Sequence, residues 1–161
     1  MSGPLPAASE RVVAAGTALG IAVEPMLFPE GTKTSQDAAQ AIGCAVSEIV
    51  KSLVFMVDDE PVLALLRGDQ RLHPERLAVA VGGGVARRAT LDEAREATGF
   101  APGGTPPFGH TRPITVIVDE GLRQHEMFWA AAGTPTTVFP LGLDDLVRAS
   151  GARWETIAER P

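Results

Sequence analysis

Residues 50–68, VKSLVFMVDDEPVLALLRG, read as a β-hairpin and set the class of the fold. Val50 to Val57 is rich in β-branched and aromatic residues, Asp58-Asp59-Glu60-Pro61 supplies a turn, and a second apolar run follows. Apolar runs bounded by turn residues are strand signals. One residue is out of keeping: under two-residue alternation Lys51 shares a face with Leu53, Phe55 and Val57. A lysine at a strand end can snorkel to solvent. The sharper alternative is a fixed cation at the floor of a site, able to hold a substrate oxygen or a phosphate.

Working outward toward the N-terminus, TSQDAAQAIG (34–43) offers Thr34 as a helix cap, Asp37 three residues on, and Gly43 as the stop. A second short helix is expected through SEIV. Thr32, Lys33 and Thr34 place hydroxyl and cationic groups just before a helix N-terminus, a position that favours anions, although capping alone accounts for them. Further upstream, IAVEPML reads as a short strand with Pro25 marking an edge or bulge, and SERVVAAGTALG as a helix capped by Ser9 and stopped by Gly20.

Toward the C-terminus, Pro74 suits the first turn of a helix, glycines 82–84 form a flexible turn, and a strand is expected near Val85 to Ala89. In TLDEAREATG, Thr90 and Glu93 make a capping box and Gly99 the stop. PITVIVDE is a strand, MFWAAAG and TTVFPL a hairpin around Gly133-Thr134, LDDLVRASG a helix, and WETIAE a closing strand. Hairpins interspersed with short helices imply one α+β domain with a mixed sheet.

Composition narrows the function classes. The 161 residues suit one domain, and 45% apolar with 21% charged residues is ordinary for a globular chain. No apolar run is long enough to span a bilayer, and MSGPLPAASER lacks the regions of a secretory signal, so a cytoplasmic protein without a membrane partner is expected. The single cysteine, Cys44, sits in apolar AIGCAV and reads as a small packed thiol, not a nucleophile. A net charge of −6 repels polyanions globally, so no DNA partner is expected and any RNA contact must be local. Arg67, Arg71, Arg76, Arg87 and Arg88 are the candidates for such a patch.

Phosphate-binding loops, dinucleotide fingerprints, nucleophile elbows and paired-cysteine zinc motifs are missing, and His73, His110 and His125 are too far apart to suggest a metal site. Neither a metal nor another cofactor is expected. Asp119, Glu120 and His125 are conceivable acid/base groups, with solvation the commoner fate of such residues. Phe128 and Trp129 read as core residues, with a nucleobase platform as the alternative.

The segment GFAPGGTPPFGH (99–110) has another character. Four glycines and three prolines in twelve residues make a backbone both sharply turned and restricted. Its amides can be aimed at a carbonyl oxygen, the physics of an oxyanion hole, and Gly103 and Gly104 are the natural donors. The plain alternative is a connection between helix and strand.

In order and spacing, TSQDAAQAIGCAVSEIVKSLVF, GFAPGGTPPFGH and ITVIVDEGLRQHEMFWAAAG resemble the YbaK/EbsC (ProX-like) family of aminoacyl-tRNA editing domains, related to the editing insertion of bacterial prolyl-tRNA synthetases. The resemblance covers about residues 32–151, and its specific parts are the lysine of IVKSLVF and Gly103, Gly104 and Pro107. It implies a strongly curved, barrel-like mixed sheet with flanking short helices. The implied activity is hydrolysis of the ester joining a wrong amino acid to tRNA, usually the proline tRNA, with the aminoacyl-tRNA acceptor end as partner and a prolyl-tRNA synthetase as a further one. Lys51, Gly103 and Gly104 are then the expected catalytic groups. Thr32, Lys33, Thr34, Leu53, Phe55, Thr105, Pro107, Phe108, Gly109 and His110 are the expected substrate-binding residues. A non-catalytic aminoacyl- or nucleotide-binding module and a small-molecule esterase or amidase are the competing readings.

Overall fold

The structure is a computed structural model that describes residues 4–32 and 34–159. In chain order it runs α1 (Ala7–Ala18), β1 (Met26–Leu27), α2 (Ser35–Ile42), β2 (Val50–Val57), β3 (Glu60–Arg67), α3 (Pro74–Ala80) and β4 (Ala86–Arg88). There follow α4 (Leu91–Thr98), β5 (Thr115–Asp119), β6 (Met127–Ala131), β7 (Thr137–Gly142), α5 (Leu143–Ser150) and β8 (Arg153–Glu155). Single 3₁₀ turns occupy Val46–Glu48, where a short helix is expected, and Glu120–Gln124. No described helix is long and apolar enough to cross a membrane.

Local chemistry explains most boundaries. The Thr34 hydroxyl accepts the Asp37 amide at 3.0 Å, and Thr90 and Glu93 form a reciprocal capping box; Gly43 and Gly99 close their helices at φ +86° and +82°. The hairpin between β2 and β3 turns through Asp58 and Asp59, both at positive φ, the geometry whose twist matches that of the strands. Two expectations shift. The helix α1 starts earlier, behind Pro6, so Ser9 is no cap: it is buried inside the helix and its hydroxyl meets the Thr137 hydroxyl at 3.0 Å. Only Met26–Leu27 of IAVEPML pairs as a strand, at the edge of its sheet.

The fold is α+β with mixed strand pairing, as expected. In place of a closed barrel there are two sheets, ordered β4-β2-β3-β5-β8 and β1-β7-β6. β3 pairs antiparallel with β2 and parallel with β5, and β8 adds parallel to β5. β3 is buried on both faces, which is why its sequence is a continuous apolar run. Its Leu63 and Leu65 pack with Val50, Val54, Phe100, Phe108, Phe128 and Phe139, while Val62, Ala64 and Leu66 pack with Phe55, Val57, Leu77, Ile117 and Ile157.

The feature that creates a site is a gap along the outer edge of β2. β4 pairs with it only from Phe55 to Val57, Ala89 adds one bond to the Val54 carbonyl, and at Thr90 the chain turns away into α4. At the other end β6 touches this edge through a single bridge, Ile49 to Trp129. Between those contacts no strand of the described residues covers β2.

Candidate active site

A cavity of about 370 Å³ opens at that gap. Its floor is Val50, Lys51, Ser52, Leu53 and Val54; Arg88, Leu91 and Ala94 form one wall and Trp129, Ala130 and Ala131 the other. Pro102, Gly103 and Thr105 of the glycine-proline loop border it, with Thr32, Thr34 and Ser35. Among the described residues that line it there is no carboxylate, thiol or imidazole.

Lys51 is half-buried in this lining. Burial pulls its pKa below the ordinary lysine value; Asp69 opposes the shift, while Arg71 and Arg88 push the same way. Three of the five patch arginines are engaged elsewhere. Arg67 is bidentate to Asp69 at 2.9 Å, Arg87 is bidentate to Glu93 at 2.7 and 2.8 Å, and Arg76 donates to the Ala158 carbonyl at 2.8 Å. Among the described residues, Lys51 and Arg88 bring positive charge to the cavity lining, and Arg71 acts on Lys51 from outside it.

The loop from Gly99 to His110 is tied at many points. Thr111 donates its amide to the Thr98 carbonyl, Arg11 donates to the Gly99 carbonyl at 2.8 Å and stacks over Phe100, and His110 Nε2 donates to the Pro106 carbonyl at 2.8 Å. Burial lowers the His110 pKa, with that carbonyl opposing, and the ring braces the loop outside the cavity. The two central glycines differ. Gly104 is buried, its amide donates to the Ala101 carbonyl at 3.0 Å, and its carbonyl accepts the Gly133 amide at 2.9 Å. Gly103 is exposed at the cavity at φ +87°, and its amide has no intramolecular acceptor among the described residues. A Cβ on Gly104 would meet the backbone of Thr134 at 2.6–2.7 Å. Gly104→Ala is therefore expected to cost about 1–3 kcal/mol in urea unfolding and to displace Gly103 from its place at the cavity.

The structure brings Lys51, Gly103, Thr32, Thr34, Leu53 and Thr105 to one cavity. Thr32 and Thr105 are buried, with hydroxyls donating to the Pro135 and Ala101 carbonyls at 3.0 and 3.3 Å. The other expected binding residues lie elsewhere. Phe55 shares the Lys51 and Leu53 face of β2 but lies where β4 covers the strand, in the core beside Leu77. Pro107 is buried in the loop, and Phe108 is a core residue edge-on to Phe139. Gly109 and His110 border a second, shallow depression with Arg112 and Ser150. Lys33 lies outside the described residues.

The conceivable acid/base groups Asp119, Glu120 and His125 lie outside the cavity lining and are engaged in other contacts. Asp119 is buried and accepts three backbone amides, Glu120 pairs with Arg123, and His125 meets the Ser47 hydroxyl at 3.0 Å. Cys44 is partly buried, its pKa raised by burial and then by Glu48, and it does not line the cavity.

Sequence reading missed Ser52 and Leu91, and it read Trp129 as a core residue with a nucleobase platform as the alternative; Trp129 lines the cavity. The signal for Trp129 was present, because alternation in MFWAA separates buried Phe128 and Ala130 from Met127 and Trp129.

The model of the aminoacyl-tRNA editing domain family matches residues 29–149. The chain belongs to this family. Its relatives include the proline–tRNA ligase of Maridesulfovibrio salexigens, 32% identical over 106 residues that make up 66% of this chain and 17% of the ligase. The proline–tRNA ligase of Xanthomonas axonopodis pv. citri is 37% identical over 56% of this chain and 16% of the ligase. The chain thus matches about a sixth of the length of these ligases. Among solved structures, a protein provisionally described as a trans-editing enzyme for prolyl tRNA synthetase superposes with a TM-score of 0.91 at 38% identity, covering 98% of this chain and 100% of that one. The editing-domain fold and the family membership agree with the resemblance carried by the three sequence blocks.

Proposed function

We propose that this editing domain is a trans-acting aminoacyl-tRNA deacylase that hydrolyses the ester of proline tRNA charged with a small non-cognate amino acid. The observation that carries the reading is that a half-buried cation, Lys51, and Gly103, whose amide has no acceptor among the described residues, line one cavity with several alanines. An activated ester needs no strong nucleophile, so a lining without a side-chain base is compatible with attack by a positioned water. Water adds to the carbonyl carbon, the Gly103 amide donates to the developing oxyanion, and collapse expels the ribose oxygen, which takes up a proton. The products are the free amino acid and uncharged tRNA.

In this reading Lys51 holds the terminal adenosine or its phosphate, with Arg88 and Arg71 adding to the local attraction. The acidic remainder of the surface keeps free tRNA binding weak and salt-sensitive, which suits delivery by a prolyl-tRNA synthetase. Ala38, Ala89, Ala94, Ala130 and Ala131 leave room for a small aminoacyl group, and each methylene gained or lost in such a pocket is worth about 1–3 kcal/mol. The test is a deacylation panel. Alanine, serine and cysteine esters of proline tRNA should be hydrolysed, and the proline ester spared. Absence of turnover across the panel would overturn the enzymatic reading, and retained binding in that case would leave the non-catalytic module.

A further inference from the structure

Helix α1, which precedes the family-matched residues 29–149, holds the glycine-proline loop from both ends. Ala101-Pro102-Gly103-Gly104 is a β-turn closed by the Gly104 amide on the Ala101 carbonyl at 3.0 Å, with proline second and Gly103 third at φ +87°, the type II pattern. The aim of the Gly103 amide is only as firm as the flanks of this turn. On the far side the Gly104 carbonyl accepts the Gly133 amide at 2.9 Å, and the backbone of Thr134 lies against Gly104. A buried hydroxyl chain ties that segment to α1: Ser9 Oγ meets Thr137 Oγ1 at 3.0 Å, which meets Thr134 Oγ1 at 2.8 Å. On the near side Arg11 Nη2 donates to the Gly99 carbonyl at 2.8 Å, and its guanidinium lies 4.2 Å over the buried ring of Phe100, the residue before Ala101. Ala8, Arg11 and Ala15 follow one helix face and meet, in turn, Gly133, Gly99 and Gly109. A Cβ on Gly133 would lie 2.7 Å from the Ala8 carbonyl, and one on Gly109 2.8 Å from the Ala15 Cβ.

Of these contacts, the one made by Arg11 is the least needed by the core, because the residue is exposed. Its planar fork can stack on a ring and donate to a carbonyl at once, which a flexible ammonium cannot do. Resting on the deacylase reading, we propose that Arg11 is a positioning residue: through it, α1 fixes the entry to the Ala101–Gly104 turn and so holds the Gly103 amide where the oxyanion forms. Arg11 does not line the cavity. Its effect therefore falls on the rate of the bound ester and not on the grip on tRNA. A donor that must meet developing charge loses much of its worth when the groups that orient it loosen, even with every cavity residue still in place.

The test separates the brace from general loosening of the helix. Arg11→Met keeps an apolar stem over Phe100 and removes the donor, whereas Arg11→Lys keeps a donor for the Gly99 carbonyl without a planar group to stack. Arg148→Ala is the control, since Arg148 donates to the Leu19 carbonyl at 2.8 Å and ties down the C-terminal end of α1. Single-turnover deacylation of proline tRNA charged with alanine gives the saturating rate and the half-saturating enzyme concentration, and the amide NMR resonance of Gly103 reports the donor itself. Arg11→Met should lower the saturating rate about tenfold and leave the half-saturating concentration within about twofold of wild type. Arg11→Lys should fall between, and the Gly103 resonance should move in the same order. Arg148→Ala should match the wild type in all three. An unchanged rate or an unmoved Gly103 resonance in Arg11→Met, or an equal loss in Arg148→Ala, overturns the assignment. If the wild type itself does not turn over, the deacylase reading fails alone: a Gly103 resonance that moves in Arg11→Met and not in Arg148→Ala still supports the brace, and one that stays put overturns it as well.

Discussion

On the proposed deacylase reading, Lys51→Ala is expected to lower the deacylation rate by about 10²-fold or more, the scale of losing one preorganised charge-stabilising group, while the domain stays folded. The fold survives because Lys51 is not bonded into the core; it lines a cavity and is held there against its own desolvation. Lys51→Met, which keeps the stem and removes the charge, is expected to match or exceed the wild-type melting temperature at pH 7 while losing activity to the same degree. Opposite movement of stability and turnover marks a group kept for function. Near-wild-type turnover would take Lys51 out of the site.

The same burial gives a pH signature with a definite sign. The folded-state pKa of Lys51 lies below its unfolded value, so the folded state releases the proton first as pH rises. The cost of holding the charge is fully present below the folded pKa and is relieved between the folded and unfolded values. The stability difference between Lys51→Met and wild type should therefore shrink with rising alkalinity across that window. Turnover should fall in the same window if the protonated amine is required. Parallel urea unfolding and single-turnover deacylation between pH 7 and 10.5 check both, and a flat difference in stability would contradict the assigned burial cost.

Asp119→Ala is the substitution expected to damage the fold most. The carboxylate is 3% exposed; one oxygen accepts the Ile157 and Ala158 amides at 2.8 and 3.0 Å, and the other accepts the Gly121 amide at 2.8 Å. It clips the C-terminal segment and the 120–124 turn to the end of β5. Alanine strands three donors, two of them in bonds buried from water, for about 3–5 kcal/mol. Against the 5–15 kcal/mol of a typical domain this brings the protein near its unfolding threshold, with a melting temperature lower by about 10 °C. Activity per folded molecule should persist at low temperature, since Asp119 does not line the cavity. A specific-activity loss in the folded fraction would restore the acid/base reading that its position after a strand suggests.

Elements with self-contained local signals were legible from sequence. The capping box of Thr90 and Glu93, the stops at Gly43 and Gly99, and the hairpin around Asp58-Asp59 each depend on residues within one turn of each other. Ser9 was misread as a cap because a buried serine and a capping serine look alike until the partner, Thr137 on β7, is known. Phe55 and Leu53 share a strand parity, yet only Leu53 borders the cavity, because Phe55 is covered where β4 pairs with β2.

The sequence by itself determined the α+β class, the family, and the two segments that meet at the site, since periodicity, turn chemistry and the lysine in an apolar strand are local properties. Tertiary structure alone decided which groups of those segments face the cavity. Gly103 and Gly104 are equivalent as letters, but the close approach of Thr134 spends Gly104 on packing and leaves the Gly103 amide free among the described residues. Ser52 carries no signal at all in sequence. It borders the cavity because β4 leaves the sheet and β6 arrives late, and whether a strand edge is covered depends on the placement of chain nearly forty and nearly eighty residues away.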